Sequence, residues 1–160
     1  MDIYLKVPFA KGDVTADKFS EWIAIQSMNF QISKSVSMEI GNLDNYTRAL
    51  PDFGQVNITK LLNEATTEFF NHIAHCTAPF EVEIVLVDGS PPLEYARFVL
   101  EGANVTNFEF AVGSGGEPSE AASFSYKALK VQFTPRRADD SEDSKLTARA
   151  DLAKIFRSNR

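Results

Sequence analysis

Residues Leu93 to Pro135 limit the fold more than any other stretch of the chain. They read LEYARFVLEGANVTNFEFAVGSGGEPSEAASFSYKALKVQFTP. Three alternating segments, Leu93–Leu100, Ala103–Val112 and Ala121–Phe133, follow one another with turn residues between them. Phe108, Phe110 and Val112 share one parity. In the last segment Phe124 and Tyr126 fall on one parity, and Leu129, Val131 and Phe133 on the other. A period of two, rich in aromatic and β-branched residues, marks half-buried antiparallel strands. A one-residue slip sends every side chain to the opposite face. The parity change therefore predicts a β-bulge near Lys127–Ala128, or else a strand that passes from one packing environment to another.

The remaining chain supplies further strands and one helix. Asp2–Val7 alternates Ile3, Leu5 and Val7 against Tyr4 and Lys6, and Pro8 ends it. Glu21–Lys34 reads as a long strand, with Trp22, Met28, Phe30 and Ile32 on one parity and Ser27, Asn29, Gln31 and Ser33 on the other. Ser35–Asp52 holds several turn signals and is long for a passive connector. Phe53–Thr59 and Glu81–Asp88 are two more strands. Between them, Leu61–Cys76 places Leu62, Ala65, Phe69, Ile73 and Cys76 on one helical face, with Asn63 or Thr66 as the N-cap. One amphipathic helix cannot bury its stripe alone, so it lies on the sheet.

With 160 residues the chain suffices for one domain. Residues 1–135 form the predicted β domain. Residues 136–160 form an acidic linker (ADDSED) and a weakly helical tail over Leu146–Phe156, in which Leu152, Ile155 and Phe156 are apolar enough to dock on something. The formal charge of −6 and the lack of a basic stripe argue against nucleic acid. No stretch of about 20 apolar residues is present to cross a membrane. The single cysteine forms no internal disulfide framework. No signal segment opens the chain, so a cytosolic origin is expected, with any export independent of a cleaved signal.

Chemistry is weakly represented. His72, His75 and Cys76 have the spacing of a metal-binding helix face, yet no second pair of ligands accompanies them, and a structural zinc takes four. Gly113-Ser114-Gly115-Gly116 lacks the Lys-Ser/Thr and the following helix of a phosphate loop. No nucleophile elbow is present. No catalytic residue, cofactor or metal is therefore assigned, and an enzyme is not expected. The uncharged polar face Ser27/Asn29/Gln31/Ser33 has two explanations: ordinary solvent exposure, or the wall of a water-filled channel.

The order of motifs resembles the haemolysin-coregulated protein (Hcp) family, the tube subunit of type VI secretion systems. The residues that carry the resemblance are Glu94-Tyr95 opening a strand, Leu100-Glu101, the Ser114-Gly115-Gly116 turn and the closing Phe133-Thr134-Pro135. DIYLKV, Lys11-Gly12-Asp13, Trp22-Ile23 and Thr59-Lys60 are similar to the start of the family pattern. The chain departs from it in the fuller Ser35–Asp52 loop and in the segment after Pro135. The resemblance implies a mainly β fold: a small β-barrel of two antiparallel sheets with one α-helix packed outside. It also implies hexameric rings stacked into a hollow tube, with sheath, spike and baseplate proteins as partners and effectors carried in the lumen. Assembly would be cytoplasmic and the tube secreted.

On this expectation Ser27, Asn29, Gln31, Ser33, Asn107 and Glu109 line the lumen, while Met28, Phe30, Ile32, Phe108 and Phe110 fill the barrel. Tyr46, Arg48 and Leu50 contact the next ring. Ring closure satisfies strand edges that would otherwise invite aggregation. The alternatives are a stand-alone β-barrel binding a small ligand or protein, and the tube protein of a phage-tail-like contractile injection particle.

Overall fold

The fold was analysed in a computed structural model. It describes residues 1–35, 40–41, 50–75, 78–89, 91–135 and 144–155, with the backbone alone at 155. The strands are β1 (Asp2–Lys6), β2 (Ile23–Ile25), β3 (Ser27–Asn29), β4 (Ile32–Ser33), β5 (Asp52–Phe53), β6 (Val56–Leu61), β7 (Phe80–Asp88), β8 (Leu93–Ala111), β9 (Ser119–Ser125), β10 (Ala128–Phe133) and β11 (Leu146–Asp151). Two helices, α1 (Thr66–Ala74) and α2 (Leu152–Ile155), complete the described elements.

Nine of the strands form one antiparallel sheet along the path β2-β1-β7-β8-β9-β6-β3, with β10 and β11 branching from β8. The sheet folds over itself into two layers. One holds β2, β1, β7, the first half of β8, β10 and β11. The other is a four-stranded layer of β3, β6, β9 and the second half of β8. Leu5, Ile23, Val82, Ile84 and Leu100 from the first layer meet Val56, Ile58, Ala122 and Phe124 from the second in the main core. The ends of the path, β2 and β3, are separated only by Gln26, whose N–H donates to the Thr59 carbonyl at 2.7 Å. The expected barrel is thus approached by a folded sheet; no closed barrel is formed among the described residues.

The long strand β8 carries the fold from one layer to the other. Phe98 and Leu100 face the core from even positions, Ala103 and Val105 from odd ones, and Phe108 from an even one again. Each change of parity has a visible cause. Gly102 takes φ +61°, a left-handed conformation that costs other residues about 1–2 kcal/mol. Thr106 is the extra residue where the β8–β9 register shifts between Val105 and Asn107. The bulge therefore lies here and not at Lys127–Ala128. At Lys127 the alternative account holds: β9 ends at Ser125, and the chain leaves β6 to pair, as β10, with β8 and β11.

Other expectations are corrected in the same way. Glu21–Lys34 is broken into β2, β3 and β4. Ile23 and Ile25 are buried from odd positions, so the bend at Gln26 is needed to turn the even residues Met28 and Phe30 inward. Ile32 and Phe110 do not fill the interior; they are 49% and 50% exposed. Leu146–Asp151 is an edge strand on β10 and not helical; only Leu152–Ile155 turns into helix. Helix α1 is shorter than Leu61–Cys76, because Leu61 still belongs to β6. Cys76 lies outside the described residues.

A second small core sits on the opposite face of the first layer, where Phe19 and Trp22 cover Val85 and Val87. The segment 11–22 folds back to deliver them. Gly12 and Val14 donate backbone bonds to Glu21 and Trp22, and a Cβ on Gly12 would lie 2.3 Å from the Trp22 carbonyl oxygen. Over this core, Arg97 binds Glu94 through two nitrogens at 2.9 and 2.8 Å and Glu83 through a third at 3.1 Å.

Candidate functional site

The candidate surface is the face of the four-stranded layer that points away from the core. Register builds it in rows. Ser27, Thr59, Ala121 and Glu109 stand opposite one another across β3, β6, β9 and β8; Asn29, Asn57, Ser123 and Asn107 form the next row. Strand alternation sends their neighbours Met28, Ile58, Ala122 and Phe108 inward, where they join the core. Ser27, Asn29, Asn107 and Glu109 are thereby brought onto one face, as expected. Gln31 and Ser33 are exposed but lie beyond these rows, Ser33 in the two-stranded β4–β5 ribbon and Gln31 just before it.

The sequence pattern did not reveal that β6 and β9 complete this face. Asn57, Thr59 and Ser123 were missed because only the cross-strand register places them beside Asn29 and Ser27. Their side chains are linked to one another. Ser123 Oγ donates to Asn57 Oδ1 at 2.7 Å, Asn57 Nδ2 donates to Asn29 Oδ1 at 3.0 Å, and the Ser27 and Thr59 hydroxyls share a bond of 2.6 Å. Thr106 Oγ1 donates to Gln55 Oε1 at 3.1 Å. Cross-strand pairs of this kind each contribute roughly 0.2–1 kcal/mol and hold the rotamers fixed. Of the eight residues in the two rows, Glu109 alone is charged. The surface is a flat, pre-ordered array of hydroxyls and amides. It can exchange hydrogen bonds with water or a polypeptide, and it holds no paired acid and base for chemistry.

The helix closes one end of the core. Phe69 is fully buried, with its ring 6.2 Å from Phe124 and 6.5 Å from Phe108. Neither expected N-cap acts in the ordinary way: Ala65 occupies the cap position without a side-chain bond. Asn63 and Thr66 instead serve the turn and the buried Lys60. Asn63 Oδ1 accepts from Ala65 N at 3.1 Å and from Lys60 Nζ at 2.8 Å, and Thr66 Oγ1 accepts from Lys60 Nζ at 3.3 Å. Lys60 stands directly across the β6–β9 ladder from Glu120. The two meet at 2.5 Å, each about 2% exposed.

His72 is enclosed in aromatic packing, stacked on Phe9 at 4.0 Å and edge-on to Phe80 at 4.7 Å, and burial lowers its pKa. No cluster of three or more metal-ligating side chains occurs among the described residues.

The remaining expected site residues fall elsewhere. Tyr46 and Arg48 lie outside the described residues, while Leu50 is 39% exposed. In the tail, the Leu152 N–H donates to the Lys127 carbonyl at 3.0 Å and its side chain packs against the main core. Phe156 and the side chain of Ile155 are outside the described residues. No described helix is long and apolar enough to cross a membrane.

Comparison with solved structures finds the same fold in several proteins. "Structure of a type six secretion system protein" aligns with TM-score 0.85 at 18% identity, covering 96% of this chain and 97% of the other. A type VI secretion system effector from Yersinia pestis aligns with TM-score 0.74 at 14% identity, covering 94% and 99%. An Hcp protein from Salmonella typhimurium aligns with TM-score 0.73 at 18% identity, covering 95% of each chain. No curated protein sequence matches. The profile of the family described as type VI secretion system effector, Hcp, matches residues 4–133. The chain therefore belongs to the Hcp family of type VI secretion systems.

Proposed function

We propose that this protein is the ring-forming subunit of a type VI secretion inner tube, and that the outer face of its four-stranded layer, polar and uncharged except at Glu109, is the wall of the lumen. Six copies close a ring, rings stack into a hollow tube, and effectors travel inside it. Sheath, spike and baseplate proteins are the partners this reading entails. The tube assembles in the cytoplasm and is then secreted.

The observation that carries the reading is the hydrogen-bonded array of Ser27, Thr59, Asn29, Asn57 and Ser123. A channel wall that must hold water and let cargo slide needs polar groups without a strong field. Hydroxyls and amides supply adaptable hydrogen bonds at low desolvation cost compared with ions. The segment Ser35–Asp52 is assigned in this scheme to the contact with the next ring, with Tyr46, Arg48 and Leu50 as its contact residues. The tail residues Leu152, Ile155 and Phe156 anchor the C-terminal segment to the subunit.

Negative-stain microscopy of the purified protein tests the proposal. Hollow six-fold rings are expected. A monomer by light scattering at all accessible concentrations, with no rings on the grid, overturns it.

A further inference from the structure

We infer that Asp88-Gly89, in the turn from β7 to β8, is a self-modification site at which the folded chain rearranges through a cyclic imide to an isoaspartyl linkage. The inference is independent of the ring reading, since it concerns the covalent backbone of a single subunit.

Sequence singles out the place. Of all the aspartates and asparagines in the chain, only Asp88 is followed by glycine. Asp2, Asp13, Asp52 and Asp151 precede Ile3, Val14, Phe53 and Leu152. Large side chains there crowd the approach to the following backbone nitrogen. Glycine has no Cβ to do so.

The fold brings the two reacting atoms together. The Gly89 N–H donates to Asp88 Oδ1 at 3.0 Å. That oxygen is bonded to Cγ, so the nitrogen stands beside the carbon it must attack, and a bond between them closes a five-membered ring. Gly89 holds φ +84°. A Cβ built on it would meet nothing nearer than the Pro91 carbonyl oxygen at 3.6 Å, so the space around it is open. Asp88 and Gly89 are both exposed, which gives water access to the ring once it forms. The ion contact of Asp88 with the Met1 ammonium, at 3.8 Å, is solvated on both sides and weak, so it does not hold the carboxyl group away from Gly89.

The strand pairing supplies the freedom to react. The β7–β8 register shifts between Leu86 and Val87, which leaves Val87–Glu94 and Asp88–Leu93 as a short end beyond the irregularity. A hairpin end of this kind opens locally at far lower cost than the core strands.

The chemistry needs no co-reactant except water. The Gly89 nitrogen bonds to Cγ of the protonated Asp88 carboxyl group. The carboxyl C–OH bond breaks, and the hydroxyl leaves as water with the amide proton. Water then adds to one of the two imide carbonyls. Opening at Cγ restores aspartate; opening at the backbone carbonyl carbon leaves Gly89 joined through Cγ, with a free carboxylate on Cα. Mass and net charge are unchanged, while the turn gains one main-chain atom. Detection therefore requires a probe of the linkage itself.

The test ages the folded full chain in neutral buffer at physiological temperature for several weeks. An isoaspartyl carboxyl methyltransferase with labelled S-adenosylmethionine then reads the product. Label is expected to rise with time and to be at least about fivefold lower in Asp88→Glu, whose longer side chain moves the carboxyl carbon out of the near-attack position. Asp88→Asn keeps the geometry with ammonia as the better leaving group and should gain label faster. Electron-transfer fragmentation of the tryptic peptide 61–97 should place the linkage at position 88. Three results overturn the inference: equal label in wild type and Asp88→Glu, label residing chiefly at Asp140 or Asp143, which serine follows, or conversion confined to protein unfolded in urea.

Discussion

The buried pair Lys60–Glu120 makes the sharpest energetic prediction. Both side chains are about 2% exposed, yet their surroundings are unequal. The Lys60 ammonium is also held by the Leu61 carbonyl at 3.3 Å, Asn63 Oδ1 at 2.8 Å and Thr66 Oγ1 at 3.3 Å. Among the described residues neither carboxylate oxygen of Glu120 has a hydrogen bond of good geometry, so the ion-pair contact is its whole compensation.

Breaking a buried pair from one side costs about 3–5 kcal/mol, because it strands the other charge. Glu120→Gln leaves an ammonium with three oxygen neighbours and belongs near 3 kcal/mol. Lys60→Met leaves a carboxylate with none and belongs near 5 kcal/mol. The double variant Lys60→Met/Glu120→Leu removes both charges at similar volume. It is expected to be no less stable than wild type within about 1 kcal/mol.

Urea unfolding of unassembled protein reads these values directly. With a slope of about 2 kcal/mol/M, the midpoint falls by roughly 1.5 M in Glu120→Gln and 2.5 M in Lys60→Met. A low protein concentration is required, since any self-association would add stability by mass action. Single variants that each lose less than 1 kcal/mol would refute the account. So would a double variant as damaged as the sum of the two.

Further predictions concern other parts of the molecule. Hydrogen bonds from Arg97 hold Glu94 below its ordinary carboxylate pKa, against the effect of burial. That stabilisation is present above the unfolded value and is lost as pH falls through the lower folded one. Arg97→Met should therefore lower the urea midpoint at pH 7 by a margin that shrinks toward pH 3; an equal margin at both refutes the ionic origin. Gly102→Ala should cost about 1–2 kcal/mol from its positive φ, read as a fall in thermal midpoint of several degrees. Asn29→Arg, on the exposed polar face, should cost no more than about 1 kcal/mol, the upper end of what its cross-strand bond with Asn57 contributes. It should leave rings intact and alter cargo loading, measured by co-purification; failure to fold would sink the placement of that face.

The alternation around Phe108, Phe124 and Leu129 made the β class legible, and Ala65 with Phe69 marked the buried face of the helix. Half of the polar face could be read from Ser27 and Asn29 because a single strand carries its own parity. Its other half could not, because Asn57 and Ser123 join it only through register between distant strands. Lys60 and Glu120 were hidden for the same reason: each looks like an ordinary surface charge until the ladder sets them opposite. LTARAD reads as helix because Leu, Ala and Arg are good helix formers. The edge of β10 overrides that preference, as tertiary context commonly does.

The two-layer strand β8 has a mechanical consequence. Nineteen residues at about 3.4 Å each make a continuous rod of roughly 60 Å of covalent backbone. Its first half is flanked by β7 and β10 and its second by β9. Ladder hydrogen bonds lie across the strand axis. A pull along β8 must therefore shear many of them together, whereas a pull on the short edge strand β11 can unzip them one after another. Thrust on one layer is thus passed to the other through the backbone itself, and the subunit should yield first at its C-terminal edge.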